Sequence, residues 1–144
     1  MCEHWFPEMG RWVSIFDRLM KMYYDRGLSE FEIGWGQQFY VEYLYTHPGA
    51  TSQEMAERFR VDRATLTKTI KKLGEVGYIR VAGDEKDRRV KHLYLTEKAI
   101  PAAERIKTVH ADFYETLSRD IPREELALNI NQKVWHRMEE HHGK

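Results

Sequence analysis

Two helix-start signals, eleven residues apart, constrain this chain more than any other feature. Thr51-Ser52-Gln53-Glu54 has the form of a capping box. The Thr51 hydroxyl can accept the backbone N–H of Glu54, whose carboxylate reaches back to the Thr51 N–H. Asp62 stands at a second start, where a short carboxylate satisfies the free N–H groups of a first helical turn. The spacing predicts a helix over 52–59, a turn of Arg60-Val61-Asp62, and a helix to about Val76 that Gly77 ends. Met55, Ala56 and Phe59 form the inner side of the first helix; Leu66, Ile70 and Leu73, at i, i+4 and i+7, form that of the second. Two short helices joined by so brief a turn make a helix-turn-helix.

A hairpin should follow. Tyr78-Ile79-Arg80-Val81 alternates as a strand, Gly83-Asp84-Glu85-Lys86-Asp87 has loop composition, and Val90 to Leu95 alternates again. Its tip carries Lys86, Arg88 and Arg89, so the hairpin has the chemistry of a wing. Before the helix-turn-helix, Trp12, Ile15, Phe16, Leu19, Met20 and Tyr23 recur at helical spacing, with Gly27 as a stop. A helix over about 36–46 then offers Phe39, Tyr40, Tyr43 and Leu44, and His47-Pro48-Gly49 breaks it. After the hairpin, Thr96 can cap a long helix to about Leu117 with Ala99, Ala103, Ile106, Phe113 and Leu117 in register. A final helix over about 123–140 carries Ile130, Val134, Trp135 and Met138. The expected fold is mainly α with a small β-hairpin wing: a winged helix-turn-helix flanked by N- and C-terminal dimerisation helices. One domain is expected over 1–144, with about 1–30 and 97–144 as dimerisation helices and about 31–96 as the winged lobe.

Charge supplies the function class. The net charge is zero, but residues 1–57 hold 4 Lys/Arg against 9 Asp/Glu, residues 58–91 hold 11 against 5, and residues 92–144 hold 8 against 9. A basic segment inside an acidic chain is a local footprint for a polyanion. It coincides with the helix-turn-helix and the hairpin, whose second helix is the element that normally enters DNA. The outer face of that helix offers Ala64, Thr67, Lys68 and Lys71, flanked by Arg63, Thr65 and Lys72. Hydroxyls and cations hold phosphates and read base edges, and a small residue permits close approach. Ser52 and Gln53, at the start of the preceding helix, join the candidate DNA contacts. Lys86, Arg88 and Arg89 suit a narrow minor groove.

Other classes find little support. No apolar run approaches the roughly 18 residues that span a bilayer, and the N-terminus lacks a secretory pattern, so a cytoplasmic protein without a membrane partner is expected. A lone cysteine, Cys2, makes no internal disulfide. There is no phosphate-cradling glycine loop, His-Glu-x-x-His or nucleophile elbow, so neither an enzyme nor a cofactor is expected. His141-His142 beside Glu139-Glu140 is the one metal-like cluster, and adjacent histidines face different sides of a helix; no metal site is expected.

The stretch Asp62-Arg63-Ala64-Thr65-Leu66-Thr67-Lys68, then Lys72-Leu73, Gly77-Tyr78-Ile79, Asp84-Glu85-Lys86-Asp87-Arg88-Arg89 and Leu95-Thr96, resembles the multiple antibiotic resistance regulator (MarR) family. Ala99 stands where many members have glycine. The resemblance implies a helical homodimer with two winged units on a palindromic double-stranded operator. Thr65, Thr67 and Lys68 would then lie in the major groove, and Arg88 or Arg89 in the minor groove. It also implies release by a ligand or by oxidation, so the expected function is a repressor released by a small phenolic or aromatic carboxylate effector. Twelve of the eighteen aromatic residues lie within 1–45. An apolar pocket there would use Trp12 and Tyr43, with Arg18 or Lys21 orienting a carboxylate. Two alternatives stand beside it: a winged-helix protein-interaction module without specific DNA binding, and a redox-sensing regulator acting through Cys2. That cysteine lies before the first helix, whereas peroxide-sensing members carry theirs inside it.

Overall fold

In a computed structural model the chain is described over residues 5–119 and at Glu140. It divides into two compact units, 1–109 and 110–144, with the division inside the last described helix. The expected final helix, with Ile130, Val134, Trp135 and Met138, lies outside the described residues, as do Cys2 and the His141-His142 pair.

The first unit opens with α1 (Trp5–Gly27) and a 3-10 turn at Ser29–Phe31. Next come α2 (Gln38–Thr46), β1 (Ala50–Thr51), α3 (Ser52–Phe59) and α4 (Arg63–Val76). The hairpin strands are β2 (Ile79–Gly83) and β3 (Lys91–Leu95); a 3-10 turn at Glu97–Ala99 then leads into α5 (Ile100–Ser118). The sheet has three strands in the order β1-β3-β2, all antiparallel, with Ala50 opposite Leu93 and Ile79 opposite Leu95. The sequence suggested a hairpin only; β1 is two residues long and carries no periodicity of its own.

Both helix starts form as expected. Thr51 Oγ1 accepts from Glu54 N at 3.2 Å, and Glu54 Oε2 accepts from Thr51 N at 2.7 Å. Asp62 Oδ1 accepts from Thr65 N at 2.8 Å. At the far end of α4, Gly77 has φ +90°, a left-handed conformation that favours glycine. Its N–H goes to Gly74 O and the Tyr78 N–H to Leu73 O, which satisfies the last carbonyls of the helix. Lys98 Nζ adds a bond to Val76 O at 2.6 Å.

Leu44, Met55, Leu66, Leu73, Leu93 and Ile106 are essentially inaccessible and form the centre of this unit's core. Gly27 lets α1 approach α5: a Cβ there would lie 2.8 Å from Val109 Cγ2. Arg105 Nε donates to the Gly27 carbonyl at 3.1 Å.

Several expectations need correction. α1 begins at Trp5 rather than near Trp12, and α2 begins at Gln38 rather than Gly36. The buried side of α2 is Gln38, Tyr40, Val41 and Leu44, while Phe39 is exposed. At the start of that buried side, Gln38 Oε1 accepts the Gly36 N–H at 2.7 Å. Thr96 does not cap with its side chain; its hydroxyl donates to Gly77 O at 2.5 Å and ties the base of the hairpin to the end of α4.

Candidate nucleic-acid interface

The helix-turn-helix exposes a continuous polar surface because its apolar positions are committed to the core. On α4, Leu66 and Leu73 are buried and Ile70 is half-buried, while Arg63, Ala64, Thr65, Thr67, Lys68, Lys71 and Lys72 are exposed. A cleft of about 440 Å³ lies between the start of α3, the first turns of α4 and the base of the wing. Ser52, Gln53, Arg63, Thr67 and Arg89 line it, so three separate elements bring five of the expected DNA contacts together. Ala64, Thr65, Lys68, Lys71, Lys86 and Arg88 lie outside the lining; all six are exposed.

Thr65 has a second duty. Its hydroxyl donates to Asp62 Oδ2 at 2.6 Å, so its one hydrogen is spent within the cap and it presents only lone pairs outward. The Thr65 hydrogen bonds hold the Asp62 carboxyl below the usual carboxylate range. On α3, Gln53 Nε2 donates to Glu57 Oε1 at 3.0 Å, and Glu57 also lines the cleft. An acidic group there is an acceptor for a base amino group and repels phosphate.

The wing loop is held by its two aspartates. Asp84 Oδ2 accepts from Lys86 N and Asp87 N, each at 2.9 Å, and Asp87 Oδ1 accepts from Arg89 N at 3.0 Å. Asp84 N to Val90 O at 3.1 Å closes the loop. Those bonds use backbone groups, so the side chains of Lys86, Arg88 and Arg89 stay exposed. The sequence flagged the cations and missed what fixes them. It also missed His92, bonded to both Gly49 O and Asp84, and Arg80, whose guanidinium lies 4.2 Å from the Tyr94 ring centroid. Lys91, a further cation lining the cleft, was also overlooked.

The effector residues are not assembled in the same way. Trp12 is exposed, Arg18 donates to Ser14 Oγ at 2.8 Å, and Lys21 pairs with Asp25, all within α1. Tyr43, on α2, stacks on His47 with ring centroids 4.2 Å apart and meets Phe59 edge-on. The cleft includes none of the four. Tyr24, Trp35, Phe39 and Phe59 form a chain of ring contacts between α1, α2 and α3. Among the described residues, no group of three or more His, Cys, Asp or Glu could hold a metal, and no helix is long and apolar enough to cross a membrane.

Comparison with known proteins places this geometry. The MarR family matches residues 34–91, from before α2 to the start of β3. The uncharacterized HTH-type transcriptional regulator YybA of Bacillus subtilis is 40% identical over 63 residues. That match covers 44% of this chain and 42% of YybA, less than half of the relative's length. The crystal structure of MarR superposes with a TM-score of 0.71 at 25% identity, covering 92% of this chain and 88% of that one. A Staphylococcus aureus MepR–DNA complex gives 0.76 at 22% identity, covering 93% and 96%. Residues 34–91 thus match the MarR family, and the fold is the winged helix-turn-helix of the MarR crystal structure.

Proposed function

We propose that the chain is a cytoplasmic, homodimeric repressor that binds a palindromic double-stranded operator and releases it on binding a small aromatic effector. The cleft carries the reading: α3, α4 and the wing contribute Gln53, Arg63, Thr67 and Arg89 to one polar surface. The structural likeness to MepR, determined with DNA, supports the same use of that surface. The dimer reading rests on α1, where Trp12, Val13, Leu19 and Met22 are each more than half exposed. A helix face of that size costs free energy in water and is expected to meet a second copy. The effector reading rests on the ring contacts from Tyr24 to Phe59, an apolar wall beside the helix-turn-helix.

The test is binding of purified protein to a duplex enriched from a randomised pool. Arg89→Ala is expected to lose about 1–3 kcal/mol at that duplex, as for a good base-reading contact. Unchanged affinity in both Arg88→Ala and Arg89→Ala would remove the wing from recognition.

A further inference from the structure

We propose that His92 is a positioning residue for the wing, acting as an imidazolium that ties the arginine-bearing loop to the turn before β1, so that losing its proton weakens DNA binding. This rests on the DNA-binding reading above. It adds a regulatory input to the same surface.

His92 sits in β3, paired with Thr51 across β1 and with Ala82 across β2. Its Nδ1 lies 2.8 Å from the Gly49 carbonyl oxygen, and its Nε2 lies 2.9 Å from Asp84 Oδ1. A carbonyl oxygen can only accept. Asp84 already accepts the N–H groups of Lys86 and Asp87 on its other oxygen, the pattern of an ionised carboxylate. Both ring nitrogens therefore donate, which only the protonated ring can do. A neutral ring keeps one N–H and turns a lone pair toward one of the two acceptors. One of the two ties is then lost.

The charges around the ring agree. Asp84 faces it from the wing loop and Glu54 acts on it from the first turn of α3; the Gly49 carbonyl adds its dipole from the turn after α2. Thr51 and Ala82, its strand neighbours, carry no charge. The hydrogen bond to Asp84, then that to Gly49, pushes His92 above its ordinary value of 6.5. The His92 hydrogen bond, then those from Asp87 and Lys86, holds Asp84 below the usual carboxylate range. A raised histidine keeps its tie fully below 6.5 and loses it as pH rises through the higher folded value. A lowered aspartate loses its share only as pH falls through its own depressed value. The wing is thus held best between those limits.

The consequence reaches the interface through a short chain of bonds. His92 orients Asp84, Asp84 holds the backbone of Lys86 and Asp87, and Asp87 holds the Arg89 N–H. Arg89 lines the cleft. Bound phosphates would favour the imidazolium further, so DNA and the proton bind cooperatively.

The experiment uses the full chain and a duplex enriched from a randomised pool, at fixed ionic strength between about pH 6 and about pH 9. Affinity is expected to fall about fivefold across that range, the low end of common coupling between linked sites. His92→Gln, checked for folding by circular dichroism, is expected to bind weakly with no such fall. His92 is also titrated by NMR in the wild-type chain, free and DNA-bound, and its pKa is expected to rise on binding. That second measurement decides the matter if the variant does not fold. The same pH profile in both proteins, or an unchanged His92 pKa on DNA, would overturn the positioning role. Failure to retain any duplex at any pH would sink the DNA-binding reading itself, and the positioning role with it.

Discussion

The helix-turn-helix and α1 carry the same kind of apolar periodicity and put it to opposite use. In α3 and α4 the positions singled out by spacing turn inward: Met55, Ala56, Leu66 and Leu73 are buried, with Phe59 and Ile70 half-buried. In α1 the same spacing marks Trp12, Phe16, Leu19 and Tyr23, exposed at 60%, 44%, 55% and 36%, with Ile15 and Met20 half-buried. Periodicity specifies that a helix has an apolar face, and leaves open what covers it. The helix-turn-helix finds its cover within the first unit, whereas the apolar face of α1 stays exposed.

That contrast can be broken from either side. The largest effect is expected in the sheet under the helix-turn-helix. Leu93 is fully buried in the central strand, and Leu93→Ala should cost about 2–5 kcal/mol by lost burial and cavity. Denaturant titration measures it, and a loss below about 0.5 kcal/mol would mean that the lobe has no such core. Thr51→Ala removes one half of the capping box and should cost roughly 1 kcal/mol. Leu19→Glu should leave the lobe folded by circular dichroism and shift sedimentation from dimer to monomer. An unchanged dimer would assign the association to other surfaces. The smallest effect is expected at Lys71: Lys71→Ala should weaken all DNA sequences alike and lower the salt slope by about one. A sequence-selective loss would make it a base reader.

What was legible in the sequence follows physical range. The capping box at Thr51, the cap at Asp62 and the left-handed stop at Gly77 each act within one turn, so local residue order contains them. The cations of the recognition helix and wing were legible as types at a surface. Their support was not. His92 bonds to Asp84 eight residues away and to Gly49 forty-three residues away, so no local window links the three. Strand β1 was missed because two residues hold no alternation to detect. Thr96 was misread because its hydroxyl serves Gly77, nineteen residues back, instead of the adjoining helix. Trp12 and Tyr43 came from aromatic density, with Arg18 and Lys21 added to orient a carboxylate, and density does not specify which rings meet.

The proposed function requires one surface, formed by α3, α4 and the wing, to read double-stranded DNA in a symmetric pair. Selection from a pool of randomised duplexes, followed by a salt titration of the enriched fraction, tests it most directly. The expected result is enrichment of a two-fold symmetric site with half-sites about one helical turn apart, at an affinity that falls as salt rises. Retention of duplexes without enrichment, lost entirely as salt increases, would contradict it and leave only non-specific attraction to a basic surface.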